Sequence, residues 1–142
     1  MEVIEQSIEL DVPVKMAYKQ WSRFEEFPRF MDGVVEIERL DGGRLRWHAS
    51  ICGNDAEWYA QVKEDLPDRR IAWCSEGLAV NAGVVTLQPV GESHTRVNLR
   101  IEYDPNAVLR MIGYNLGSGT EQVRNDLECF KEIVEDMAED AA

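Results

Sequence analysis

The two histidines, His48 and His94, belong to no HxH or HxxxH pair, and the three cysteines, Cys52, Cys74 and Cys129, form no CxxC. A bound metal needs several such groups converging at set spacing, so no metal site is expected. His48 alternates with Trp47 and His94 falls in a turn, which assigns both imidazoles to the surface. A catalytic serine or cysteine needs an activating base beside it, and neither a GxSxG elbow nor a catalytic-cysteine signature is present. Gly117-Ser118-Gly119 sets a serine between two glycines, but a helix break accounts for it more simply. Phosphate-binding loops and dinucleotide fingerprints are missing, so no cofactor is expected.

Acid–base chemistry remains. In a dry cavity one acid or base is enough to move a proton on a bound substrate. Tyr103 and Glu64 are the catalytic candidates, with Ser75 and Tyr114 behind them. Each has a plain alternative: Glu64 and Ser75 fall at strand ends that water reaches, and Tyr103 can simply hold its hydroxyl at a rim.

These residues are positioned by elements that the hydrophobic periodicity marks out. Ile4, Gln6, Ile8, Leu10 and Val12 alternate with polar residues, the period of a half-buried strand. Pro13 then opens a short helix to about Phe24, and a second helix or turn is expected from Pro28 to Met31. Strand-like runs follow at Val34 to Leu40, Arg44 to Ile51, Ala56 to Glu64, Arg70 to Ser75, Ala82 to Val90 and Thr95 to Asp104, divided by turn chemistry. Seven strands with no helix between the second and the seventh predict an antiparallel sheet in one α+β domain spanning 1–142. A helical stretch carries Val108, Leu109, Met111, Ile112 and Leu116, then Val123, Leu127, Phe130, Ile133, Val134 and Met137. Gly117 to Gly119 predict a break, kink or mobile hinge between the two parts, and an acidic tail from Glu135 is expected to fray.

Alternation predicts a dry sheet face holding Leu45, Trp47, Ala49, Ile51, Trp58, Ala60, Val62, Ile71, Trp73, Val85, Leu87, Val97, Leu99, Ile101 and Tyr103. One amphipathic helix buries its stripe against such a face only if the sheet bends around it. The small residues Ala49, Ala60 and Gly83 then leave room that the tryptophans border. Trp47, Trp58, Trp73, Val85 and Leu99 are either core or the wall of a ligand cavity. Trp21, Phe27, Phe30 and Met31, with Met111, Ile112 and Leu116, are the candidates for its mouth and lid.

The net charge of −12 repels phosphate backbones, which argues against a nucleic-acid partner. No run approaches the roughly 18 apolar residues of a membrane span. Early acids at the N-terminus and unpaired cysteines point to a cytoplasmic setting, with the chain a monomer or weak homodimer.

Several strings, taken in order, resemble the START-like superfamily, also called SRPBCC, with its helix-grip fold. They are Trp21-Ser22-Arg23-Phe24-Glu25-Glu26-Phe27-Pro28-Arg29-Phe30-Met31, Gly83-Val84-Val85-Thr86-Leu87, Thr95-Arg96-Val97, Tyr103-Asp104-Pro105 and Asp126-Leu127-Glu128-Cys129-Phe130-Lys131. The likeness is greatest to small bacterial proteins of the polyketide cyclase/dehydrase or coenzyme Q-binding START type. It implies a curved sheet gripping the C-terminal helix around a cavity for lipids, quinones or polyketides. The expected function is binding or carrying a hydrophobic small molecule. A polyketide aromatase/cyclase or dehydratase, and a protein-interaction module without a ligand, are the alternatives.

Overall fold

The computed structural model describes residues 2–30, 34–51, 54–75, 80–103 and 119–141. Its strands are β1 (Glu2–Leu10), β2 (Val34–Arg39), β3 (Arg44–Ile51), β4 (Asn54–Leu66), β5 (Arg70–Ser75), β6 (Val80–Pro89) and β7 (Thr95–Tyr103). They form one antiparallel sheet in the order β1-β7-β6-β5-β4-β3-β2, curved into a half-barrel. From β2 to β7 each strand lies beside the next in sequence, as short turns dictate. Only β1 must reach the far edge, where Glu2 to Leu10 pair with Tyr103 to Thr95.

Turns between the strands use residues that tolerate a left-handed backbone. Gly42 and Gly43, at φ 72° and 79°, carry the chain from β2 to β3. Asp68, at φ 63°, turns β4 into β5; its short polar side chain makes that conformation accessible.

The crossing between β1 and β2 is made by α1 (Val14–Trp21) and a 3-10 helix over Phe24–Arg29. The periodicity had suggested one helix to Phe24 and a second from Pro28. The boundary falls earlier because Trp21, Phe24, Phe27 and Phe30 repeat every three residues, the turn of a 3-10 helix. That spacing stacks the rings on one face, and all four are buried.

The C-terminal helix α2 (Gly119–Ala141) buries Val123, Leu127, Phe130 and Val134, the stripe of an amphipathic helix. Its principal partner is β1, which supplies Ile4, Ile8 and Leu10 to the same core. α2 runs through the acidic stretch from Glu135 to Ala141. Glu135 Oε2 accepts a hydrogen bond from the Asp11 backbone N–H at 2.8 Å, and Lys131 Nζ donates to Glu9 O at 3.2 Å. These contacts fasten the last turns to the end of β1. Gly119 is the first residue of α2; Gly117, Ser118 and the stretch expected to be helical over Val108 to Leu116 lie outside the described residues.

On the predicted dry face, Leu45, Trp47, Ala60, Ile71, Trp73, Val85, Leu87, Val97 and Leu99 are buried. The opposite face carries ion pairs across strands, such as Arg46 with Glu36, Glu38 and Glu57 at 2.8, 3.0 and 3.3 Å, and Arg96 with Glu9 at 2.7 Å. Sequence parity therefore assigned the two faces correctly, with the exception of a shift in β4 taken up below.

Candidate functional site

The concave face reads as rows of directly paired residues. Ile71, Val85 and Leu99 form one row, each at most 1% exposed. Toward the Ser75 end comes the row Val62, Trp73, Gly83 and Ile101, in which Val62 and Ile101 are half-buried. Beyond it stands Ser75, opposite Ala60 and also half-buried. Exposure on this apolar face thus rises only locally, at Val62, Ile101 and Ser75, while Trp73, Ala60 and Leu45 in the same rows stay buried. An apolar side chain that its neighbours do not cover leaves surface for a ligand.

The tryptophans sort differently on this face. Trp47 stacks on Trp58 with centroids 5.7 Å apart and planes at 14°, and meets Phe27 edge-on at 5.7 Å. Trp47 is buried and its indole Nε1 has no hydrogen-bond partner; Trp58 is half-buried. Trp73 lies over Gly83 and is buried. The room that Gly83 was expected to leave is therefore taken by this indole. Val85 and Leu99 belong to the sealed row beneath.

Trp21, Phe27 and Phe30 are not rim residues. Trp21 meets Phe27, Phe30 and Phe130 at 5.6, 5.5 and 4.9 Å, and Phe30 meets Phe130 at 5.0 Å. This cluster locks the 3-10 helix to α2, with Trp21, Phe27 and Phe30 no more than 3% exposed. Three-residue spacing was the available signal: a single turn-by-turn face is a packing face. Met31, Met111, Ile112, Tyr114 and Leu116 lie outside the described residues. Tyr103 ends β7 opposite Glu2 and Val80, and its side chain likewise falls outside them.

Glu64 requires a correction. A β-bulge between Val62 and Glu64 shifts the register, so Glu64 pairs with Ala72 rather than keeping step with Val62 and Trp73. One extra residue reverses side-chain parity. Glu64 thereby joins the outer face, where its Oε1 meets Arg70 Nε at 2.7 Å. The same shift sets Asp65 opposite Ile71, where, still exposed, it accepts a hydrogen bond from the Tyr18 hydroxyl of α1. Burial first, and that bond to a carboxylate second, push the Tyr18 phenol up to about 12. Alternation alone missed this pair because the bulge leaves no mark in the residue types.

The histidines sit in ordinary surface pairs, His48 3.7 Å from Asp55 and His94 3.0 Å from Asp11. A groove of about 360 Å³ on the outer face runs over Ala82, Val84 and Thr86 between Arg70 and Arg100. Both arginines already pair with glutamates, Arg70 with Glu64 and Arg100 with Glu102. Among the described residues no helix is long and apolar enough to cross a membrane.

A curved seven-stranded antiparallel sheet gripping a C-terminal helix is the helix-grip fold of START-like proteins. The chain belongs to the family described as polyketide cyclase / dehydrase and lipid transport, which it matches over residues 10–132. An uncharacterized 17.2 kDa protein of Streptomyces lincolnensis is 40% identical over 141 residues, covering 99% of this chain and 94% of that one. The ZhuI aromatase/cyclase from Streptomyces sp. R1128 superposes with a TM-score of 0.73 at 14% identity, covering 94% of this chain and 93% of that one. A START superfamily protein from Mycobacterium smegmatis does so at 0.71 and 13%, covering 95% and 98%. At these identities the two structures speak for the fold alone.

Proposed function

We propose that the chain binds a hydrophobic small molecule on the concave face, between the sheet and the C-terminal helix. The observation that carries this reading is partial exposure on an otherwise sealed apolar face: Trp58, Val62 and Ile101 are half-buried among buried neighbours. Apolar contact supplies most of the affinity, at about 25 cal/mol per Å² removed from water. Ser75, half-buried among them, is the polar group that orients the ligand.

Native mass spectrometry of freshly purified protein, followed by organic extraction, tests the reading. A lipid, quinone or polyketide at near-stoichiometric occupancy is the expected result. An empty protein that also takes up no apolar fluorescent probe rejects it.

The family description supports a second reading, in which a poly-keto chain held on this face is cyclised or dehydrated. Tyr103 and Ser75 are then the groups to test. Absence of turnover of a poly-keto substrate by the wild type rules that reading out, and unchanged turnover by Tyr103→Phe and Ser75→Ala removes these two residues from it.

A further inference from the structure

Gly83 and Trp73 face each other directly across β6 and β5, and the indole lies against the glycine. A Cβ built on Gly83 would stand 2.4 Å from Trp73 Cζ2, 2.5 Å from Cε2 and 2.9 Å from Nε1. Ordinary contact begins near 3.4 Å, so any other residue here displaces the ring by about 1 Å. The φ angle of Gly83 is not in the left-handed region, so the backbone itself would accept a side chain. What selects glycine at this position is the indole.

The place of this pair gives the contact a use. Behind it the row Ile71, Val85 and Leu99 is sealed, and to either side Val62 and Ile101 are half-buried. Trp73, itself buried, stands between this sealed row and the two half-buried residues. Gly83 lets the ring lie down on the sheet; with a methyl group beneath it, the ring would stand up into the space that a ligand needs.

We infer that Gly83 and Trp73 together form the floor of the ligand space, and that Gly83 is the specificity-determining residue that sets its depth. The inference rests on the ligand-binding reading above and deepens it. With an indole face as its floor, the site favours a planar conjugated ligand over a saturated chain, because flat rings gain from offset stacking and acyl chains do not.

Titration with the neutral probe N-phenyl-1-naphthylamine, alongside thermal unfolding, tests this. Gly83→Ala should weaken binding about tenfold, the scale of overpacking a filled site. Adding Trp73→Leu to that variant should restore affinity to within about threefold of wild type, because the displaced ring is gone. If the wild type binds and Gly83→Ala binds equally well, the floor is refuted while the ligand-binding reading stands. If the wild type takes up no probe, both fall. Should Gly83→Ala fail to fold, Trp73→Leu alone decides: a deeper site should shift preference toward the wider planar probe pyrene, and an unchanged preference overturns the inference.

Discussion

Two aromatic groups on the same interior do different work. Trp21, Phe24, Phe27, Phe30 and Phe130 interlock edge to face, every ring covered by another, between the 3-10 helix and α2. Trp58 and Trp73 instead belong to the concave face of the sheet, Trp58 stacked on Trp47 and Trp73 laid over Gly83. In the first group each ring completes a cluster and leaves no surface over. In the second Trp58 stays half-buried, and Trp73 is covered without an aromatic partner among the described residues. Residue type is the same in both; what lies opposite decides between core and wall.

The largest expected effect breaks the first group. Phe130→Ala should cost about 3–5 kcal/mol in urea denaturation, since the ring touches Trp21 and Phe30 and the cavity cannot collapse between two helices. Trp58→Ala should cost less, about 1–3 kcal/mol, because the ring is half exposed already, yet it should weaken probe binding more than any change in the cluster. Equal stability losses at the two sites would erase the distinction.

A smaller effect concerns Tyr18, which ties α1 to the bulged end of β4. Its phenol is raised to about 12 in the fold against an ordinary value near 10. A raised value means that the folded state keeps a proton that the unfolded chain gives up. This contribution is therefore complete below about pH 10 and is lost as pH climbs toward 12. The melting temperature should fall more steeply across that interval in wild type than in Tyr18→Phe. The smallest effect belongs to the outer face: Arg46→Gln, though it breaks three ion pairs, should cost under about 1 kcal/mol and less still in high salt.

Much of the fold was legible because it follows from short-range rules. Alternation placed seven strands, turn residues set their order, and the stripe from Val123 to Val134 gave the helix. The candidate site was legible only in part. Trp58, Trp73 and Ser75 share the concave face as parity requires, but parity cannot reveal a bulge, and Glu64 went to the wrong side of the sheet for that reason. Nor does an aromatic-rich string announce whether its rings face each other or a cavity. For Phe27 and Phe30 the three-residue period held the answer, and dividing the segment between a helix to Phe24 and a helix or turn from Pro28 concealed it.

The attachment of α2 to β1 has a consequence for the order of assembly. Its two hydrogen bonds span 122 and 124 residues, and β1 finds its strand partner only in β7. β1, made before the other strands of this sheet, is thus among the last to be satisfied, and it waits while the meander from β2 to β7 forms beside it. Such long-range closure slows folding and prolongs the exposure of an unpaired edge. Truncation within α2 would leave the nascent sheet fastened at one side only.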